Sequence, residues 1–462
     1  MNDEPGDAPG DARGMMARLL AAKRRGHPLV AADTLADAVR SQLHNLRLLN
    51  GTAPPFTGSW FFRIGNVEYL AYREAARPTR FELFATVYHL PAGRVDLDDT
   101  PPPHRSILGY EIDFAPVAAR LRQLSSALPP PRRRLRDRFW PVPPGRILLW
   151  GFIDNLGHHL WNEQGGLDLL LADGGFDRID EVWLGPFDFF GLAPFFSRRF
   201  PVRRCAGLEP PVASPELLLR SAEVVFSSAT RQRVLAWARG LAAGSRLEHW
   251  LAAGRAGPVV CVQIRRHHRR WLEEEAGVVA LITALACRWP SARFILDGMS
   301  ATAAPDARLA AELAAGHGIL HALPAGLPVY CAIGEELNAK IRAFAAVDLF
   351  VAPLGSGNTI SSWLLQRPTI VHGPTTHYAF CQEQERCVPE GGGTGVFVPP
   401  SHITEATGQD YHLDWRLLAE IAGRHLAGII ATGPSRPDRA ADLTSPFRAS
   451  GPAGTGPGGA VQ

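Results

Sequence analysis

From Arg146 to about residue 376 the sequence alternates short apolar runs with amphipathic helical periods. That alternation limits the chain to an α/β fold built on parallel sheets. In the first series, Ile147–Phe152 reads as a strand and Gly157–Ala172 as a helix. Glu181–Leu184 follows as a strand, residues 187–197 as a helix, and Val202 opens another extended piece. Glu223–Phe226 reads as a strand and Arg231–Ala243 as a helix. After Gly254-Arg255-Ala256-Gly257-Pro258 the pattern restarts with the strand Val259–Ile264. The next helix shows Val278, Leu281, Ile282, Leu285 and Trp289 at i, i+3, i+4 and i+7 spacing. Arg293–Leu296 and Ile319–Leu323 read as strands, and residues 303–315 and Glu335–Ala346 as helices. Two successive series predict two doubly wound, Rossmann-type domains facing each other across a cleft, over 146–254 and 255–432. In such sheets ligands bind beyond the carboxyl ends of the strands, which selects the turns at 153–159, 264–272 and 354–359.

The flanking sequence differs in character. Residues 1–14 and 433–462 are rich in Gly, Pro and Ala or acidic residues, a composition that predicts disorder. Between them and the first series, residues 15–145 read as an N-terminal extension. It comprises a helical stretch with Leu35, Val39, Leu43, Leu46 and Leu49 in phase, then aromatic, β-branched strands over 58–90 with a turn near Arg77-Pro78. A Pro-rich connector and a Pro/Arg-rich linker at 129–145 complete it. A net charge of +3 implies no general affinity for polyanions, so nucleic acid is not an expected partner. The six cysteines form no CxxC and read as reduced core residues of a cytoplasmic protein, with Cys381 and Cys387 as the one pair that could bridge or bind metal. No stretch reaches the ~18 apolar residues of a membrane span, and the acidic start is unlike a secretory signal. The basic stretch MMARLLAAKRR reads as a surface helix, with peripheral membrane contact as the lesser reading.

Each selected turn carries residues suited to chemistry. The stretch Val351–Pro374 reads as strand, Gly-rich turn, helix and strand: Leu349, Phe350 and Val351 form an apolar run after Asp348, and Gly355-Ser356-Gly357 is a tight turn. Asn358-Thr359 can cap a helix bearing Ile360, Trp363 and Leu364, and Pro368 ends that helix. Backbone N–H groups at a helix start favour an anion, usually phosphate; the plainer reading is a sharp βα turn. The turn Arg265-Arg266-His267-His268-Arg269-Arg270-Trp271 puts four guanidinium forks at the end of a buried strand, where phosphate oxygens would satisfy them. A solvated basic loop is the alternative. In Asp154-Asn155-Leu156-Gly157-His158-His159, the helical wheel sets His158 nearly opposite Leu160, Leu167, Leu170 and Leu171, hence toward the cleft. His158 is the candidate base and Asp154 the second. Glu163, one turn past His159, could orient an imidazole, and His372, ending the next strand, could approach the same ligand.

Metal-ligand spacing is missing, because adjacent histidines do not share a helical face. Asp96-Leu97-Asp98 matches a DxD but lies in a Pro-flanked connector and reads as an acidic turn. Neither a phosphate-binding P-loop nor a dinucleotide fingerprint follows a strand, which argues against an NTPase and a dinucleotide oxidoreductase.

The run Gly355-Ser356-Gly357, then Arg367-Pro368-Thr369-Ile370-Val371-His372-Gly373-Pro374-Thr375, resembles the donor site of family 9 heptosyltransferases, and Arg270-Trp271 is similar to their basic-Trp loop. Asn155-Leu156-Gly157-His158 with Glu163, and Asp348–Pro353 with Gly355 and Gly357, resemble patterns of family 61 glycosyltransferases. Gly355 stands where family 9 has Asp, and Leu354 where family 61 has His. Both resemblances imply a GT-B glycosyltransferase that uses a nucleotide-diphospho-sugar without a metal or other cofactor. Arg265, Arg266, Arg269, Arg270, Gly355, Ser356, Gly357, Asn358 and His372 would bind the donor. A glycan, a lipid-linked sugar or a protein would accept the sugar. The rival readings are a catalytically inactive GT-B-like protein that binds nucleotide or glycan, and a metal hydrolase built on the clustered histidines.

Overall fold

The βα alternation is realised as two wholly parallel sheets, preceded by an antiparallel one. The computed structural model describes residues 27–28, parts of 41–49, 56–126, 145–222, 225–253, 257–301 and 306–431, with short internal gaps. The expected disorder of both termini, the basic stretch at 15–25 and most of the 129–145 linker lie outside the described residues. Of the expected N-terminal helix, residues 41–42, 44–45 and 47–49 are described and helical.

The antiparallel meander contains β1 (Phe56–Ile64), β2 (Val67–Glu74), β3 (Arg80–Ala85) and β4 (Leu90–Asp96), in sequential order. The expected turn at Arg77-Pro78 joins β2 to β3. Strand alternation sorts its side chains to two faces. Trp60, Phe62, Tyr69, Phe81 and Leu83 face a small core of their own. Phe61, Leu70, Tyr72 and Phe84 join the core of the neighbouring parallel sheet. Both faces are therefore buried, each large side chain contributing roughly 1.5–3 kcal/mol. A short hairpin, β5 (Arg105–Ile107) and β6 (Tyr110–Ile112), leads to helix α1 (Phe114–Ser126). Helix α1 buries Phe114, Val117, Ala118, Leu121 and Leu124 on one stripe. Asp96 pairs with Arg77 and Arg80 and closes a turn, as its context suggests.

The first parallel sheet holds β7 (Arg146–Trp150), β8 (Glu181–Leu184), β9 (Val202–Arg204) and β10 (Leu217–Arg220) in the order β9-β8-β7-β10. The strand beside β7 is thus Leu217–Arg220; of the expected Glu223–Phe226, the described Val225–Phe226 pair antiparallel with His27–Pro28. Strands β1 and β2 brace β10 from the side. Leu218 donates its N–H to Ser59 Oγ (2.7 Å), and Tyr72 Oη donates to the Leu218 carbonyl (2.6 Å). After β7, helix α2 runs from Leu156 to Ala172 with a π-helical segment over His159–Gln164. Residues 187–192 form a loop before the short helix α3 (Ala193–Ser197), rather than the longer helix the sequence suggests. Helices α4 (Ser228–Gly240) and α5 (Arg246–Ala252) lead into the second domain.

The second sheet contains β11 (Val259–Gln263), β12 (Arg293–Asp297), β13 (Val329–Cys331), β14 (Leu349–Pro353), β15 (Thr369–His372) and β16 (Gly395–Phe397), ordered β13-β12-β11-β14-β15-β16. Numbered within the sheet this is 3-2-1-4-5-6, the doubly wound order of Rossmann domains. The covering helices are α6 (Glu274–Arg288), α7 (Ala307–Ala322), α8 (Leu337–Phe344), a helical stretch α9 over 356–364 and α10 (Tyr378–Arg386). The last of them is α11 (Trp415–Ala431). Ile319–Leu323, expected as a strand, instead completes α7, whose small and apolar residues keep a helical period to Ala322. A hairpin, β17 (Ile403–Glu405) and β18 (Tyr411–Leu413), precedes α11.

The chain is therefore α/β and GT-B-like: two doubly wound domains meet face to face. One continuous apolar core runs across the junction and includes Trp161 and Leu167 from the first domain with Phe344, Ile360, Trp363 and Leu364 from the second. Among the described residues no helix is long and apolar enough to cross a membrane.

Candidate active site in the interdomain cleft

A doubly wound sheet leaves a crevice where its strand order reverses, because the turns on either side diverge. In the second sheet that reversal lies between β11 and β14, and in the first between β7 and β10. The turns after β7, β11 and β14 converge on one cavity of about 320 Å³. Asp154, Asn155, Leu156, Phe187 and Phe189 enter its wall from the first domain. Arg265, His267, His268, Arg269, Arg308, Lys340, Pro353 and Gly357 are among those entering from the second. All three turns selected from the sequence meet there.

The cationic wall is built around Arg265. Its backbone N–H is held by Glu274 Oε1 (2.8 Å) and its Nη1 donates to the Leu354 carbonyl (2.9 Å). Gly355 makes room for it. A Cβ at this glycine would sit 2.6 Å from the Arg265 guanidinium, and its φ of +139° is open only to glycine. Burial, then the adjacent charge of Arg269, draws Arg265 down to about 10, so it remains a cation at neutral pH. Arg269, half-buried and also lowered by burial, follows His268, and both residues have left-handed φ, 42° and 55°. Such backbone is held against local preference and concentrates at functional sites. Neither Arg265 nor Arg269 forms an ion pair among the described residues. Two partly desolvated guanidiniums side by side constitute a demand for an anion.

The turn after β14 adds the start of α9. Asn358 caps it, accepting from the Gly355 N–H (2.8 Å). In turn Asn358 Nδ2 donates to Glu385 Oε1 (3.2 Å), a buried carboxylate that also accepts from Trp363 Nε1 (2.7 Å), Ser362 Oγ and the Gly395 N–H. This network fixes the helix whose first turn brings Gly357 into the cavity wall. Gly357 is tight against Gln263, whose Oε1 lies 2.4 Å from where a Cβ would be.

Several lining residues have no sequence motif. Lys340 is buried, paired with Asp297 (2.7 Å) and bonded to the carbonyls of Gly298 (3.0 Å) and Met299 (3.1 Å). Asp297 also accepts from Gln263 Nε2 (2.9 Å). Arg308 pairs with Asp306 (2.7 Å), and Asp154 adds to the negative field on it from the opposite domain. Phe187 and Phe189 are set by Asp188, which accepts from Trp150 Nε1 (3.2 Å) and the N–H groups of Leu192 (2.9 Å) and Ala193 (3.1 Å). Their signal in the sequence is only position: each lies at or just beyond the carboxyl end of a parallel strand, or on the helix face turned to it.

The structure redistributes the remaining expected residues. Arg266 turns away to Glu275 (3.1 Å) and Glu274 (3.8 Å). Arg270 is exposed and forms a fork with Asp410, Nε at 2.9 Å and Nη2 at 2.7 Å from Oδ2. Neither lines the cavity, because each has a carboxylate partner on its own side of the loop. His372 is buried against Trp271, shares a hydrogen bond with Tyr411 Oη (2.7 Å), and burial holds it down to about 3. It belongs to the core under the loop. Asn358 is buried and serves as a cap. Of the Gly355–Gly357 turn, Gly357 lines the cavity and Gly355 seats Arg265; the side chain of Ser356 lies outside the described residues. His158 is half-buried, shares a hydrogen bond with Asn162 Oδ1 (3.0 Å), and does not line the cavity. Burial lowers its pKa, with Glu68, Arg220 and Asp154 acting on it electrostatically. Glu163 does orient an imidazole: it pairs with the buried His159, which stacks on Phe190, and its Oε2 accepts the Gly151 N–H (3.2 Å). Asp154 is therefore the acidic group of the first domain that lines the cleft. Among the described residues, no group of three His, Cys, Asp or Glu is placed to hold a metal ion.

No family model and no curated protein matches the chain. Among solved structures it is similar to the E. coli ADP-heptose LPS heptosyltransferase II, at 12% identity over 62% of this chain and 99% of that one, with a TM-score of 0.32. It is similar to a family 9 glycosyl transferase from Veillonella parvula, at 10% identity over 55% and 85%, TM-score 0.33. It is also similar to the UDP-GlcNAc 2-epimerase of Methanocaldococcus jannaschii, at 9% identity over 59% and 75%, TM-score 0.30. The two-domain fold class rests on the strand orders above, and the site on its own residues.

Proposed function

We propose that the protein is a GT-B glycosyltransferase that moves a sugar from a nucleotide-diphospho-sugar to a hydroxyl acceptor. The observation that carries this reading is one cavity, at the switch points of two facing sheets, with Arg265 and Arg269 on one wall and Asp154 on the other. In the reaction the bond from the anomeric carbon to the diphosphate oxygen breaks, and a bond from that carbon to the acceptor oxygen forms. The diphosphate leaves with negative charge. Arg265, Arg269 and the start of α9 meet that charge in place, so the transition state is favoured over the bound donor. The acceptor proton goes to the Asp154 carboxylate, which approaches from the first domain. His158, bonded to Asn162 and off the cavity wall, is not assigned the proton. Phe187 and Phe189 offer aromatic faces for a sugar ring. The fixed guanidiniums supply positive charge that a divalent ion would otherwise provide, so transfer is expected to persist in a chelator.

The test is a screen of UDP-, GDP-, ADP- and CMP-sugars by thermal shift, followed by transfer assays with the donor that binds. A donor present well above its Kd should raise stability by about 2–4 kcal/mol. Transfer to a hydroxyl acceptor, abolished by Asp154→Asn, supports the proposal. Donor binding with no transfer to glycan, lipid-linked or protein acceptors would make the chain a nucleotide-sugar-binding protein, and no donor binding would remove the reading.

A further inference from the structure

Helix α8 has two working faces. Leu337, Lys340 and Phe344 line the cleft, and Ile341, Arg342 and Ala345 at its end line a second cavity of about 310 Å³ on the other side. Four arginines surround that second cavity: Arg231 and Arg239 from α4 of the first domain, Arg342 from α8 and Arg367 from the loop before β15. Among the described residues, no Asp or Glu lines it. Arg231 Nε donates to the Leu364 carbonyl (2.8 Å) across the domain junction. Arg342 Nη1 donates to the Ala238 carbonyl (2.8 Å), also across it, and its Nε pairs with Glu248 (2.8 Å). Arg367 donates to the Ala345 carbonyl. These bonds fix three guanidiniums to the walls. The fourth, Arg239, is exposed and forms no ion pair among the described residues. Arg239 is thus a cation without a counter-charge among the described residues, set beside three guanidiniums that the walls hold in place.

We infer that this groove is a second anion site, distinct from the cleft, that takes a small phosphate- or diphosphate-bearing molecule. Guanidinium forks match phosphate oxygens in geometry as well as charge, and the volume is at the low end of small-molecule pockets. Nothing in the donor reading uses these residues. An anion held here touches both domains at once, and it contacts α8 and the end of α9, the elements that also wall the cleft. Occupancy therefore stabilises the domain junction, and any effect on donor affinity must be matched by an equal effect of donor on this site.

Inorganic pyrophosphate is the probe, titrated calorimetrically into the full chain at constant ionic strength. The Arg265→Ala and Arg269→Ala variants silence the cleft, and either suffices if the other folds poorly. The wild type is expected to bind at two sites and the cleft variants at one. Adding the exposed substitution Arg239→Glu to a cleft variant should weaken the remaining site by about tenfold or more, the loss of one charge-assisted hydrogen bond plus a reversed charge. Arg416→Ala, exposed and elsewhere, should leave it unchanged. No residual binding in both cleft variants, or binding indifferent to Arg239→Glu, would overturn the inference while leaving the donor reading standing. Loss of binding on Arg239→Glu in a wild type that lacks the Arg265-dependent site would do the reverse.

Discussion

The two parallel sheets solve the same architectural problem with opposite charge. In each, a strand at the switch point runs into a helix whose second turn is π-helical, over His159–Gln164 in one and Thr359–Leu364 in the other. The two segments meet, with Trp161 edge-on to Trp363 and Thr359 Oγ1 3.6 Å from a Cβ at Gly157. π-Helical turns are uncommon and recur at functional sites. The first domain furnishes its switch point with a carboxylate, Asp154. The second furnishes its own with Arg265, Arg269 and a glycine turn. In the proposed reaction this symmetric frame with asymmetric charge would divide the labour: anion on one side, proton acceptor on the other.

The sharpest way to break that division is on the cationic side. Arg265→Ala should lower kcat/KM by about 10²–10³-fold, the scale of removing one preorganised donor from a developing anion. Donor titration should show the affinity falling with it. On the acidic side, Asp154→Asn should lower kcat by about 10²–10³-fold while donor affinity stays within about twofold. His158→Ala should act less strongly than Asp154→Asn in the same assay, and the reverse order would return the base to His158. Gly355→Ala tests how the turn supports the cation. Its φ and the Arg265 guanidinium both oppose a methyl group, so melting should report a loss above ~1 kcal/mol together with weakened donor binding. Arg266→Ala and Arg270→Ala should alter stability by about 0–1 kcal/mol each and leave donor affinity unchanged, although they flank Arg265 and Arg269 in sequence.

His372 gives the comparison a pH axis. Its ring is buried and neutral, with a folded pKa of about 3 against 6.5 for an ordinary imidazole. A base depressed in the fold contributes stability that is present above its unfolded pKa and is lost as pH falls from there toward the folded value. Melting temperature should therefore drop from about pH 6.5 downward, and His372→Gln, which keeps a polar partner for Tyr411, should make that limb shallower, the buried His44 and His89, also lowered by burial, supplying the rest. Donor affinity should not follow His372.

The architecture was legible because apolar periodicity reports burial directly. Strands β7, β11, β12 and β14 were placed within a residue or two, and the three ligand-edge turns followed from chain order. Helix α1 is masked by the Pro-rich segments on either side, although Phe114, Val117, Leu121 and Leu124 keep a helical period. Strand β10 lies a few residues before the expected Glu223–Phe226 because two apolar runs adjoin. The site was less legible for reasons specific to each residue. His158 was phased against leucines at 167–171, but the intervening π-helical turn adds a residue and rotates that reference by about 100°. Arg266 and Arg270 looked equivalent to Arg265 and Arg269 in a basic run. Their partners, Glu275 and Asp410, come from α6 and from a hairpin more than a hundred residues on, and positive φ at His268 and Arg269 alternates which arginines face inward. Lys340, Arg308 and Asp297 carry no motif; only the folded sheet edge gathers them.

The most direct measurement is calorimetric titration of nucleotide-diphospho-sugars into the wild type and into Arg265→Ala, with circular dichroism verifying that the variant is folded. The account predicts that at least one donor binds the wild type and that Arg265→Ala weakens it by about tenfold or more. A donor that binds both proteins equally, or a wild type that binds none, would contradict the claim that this cleft grips a diphosphate.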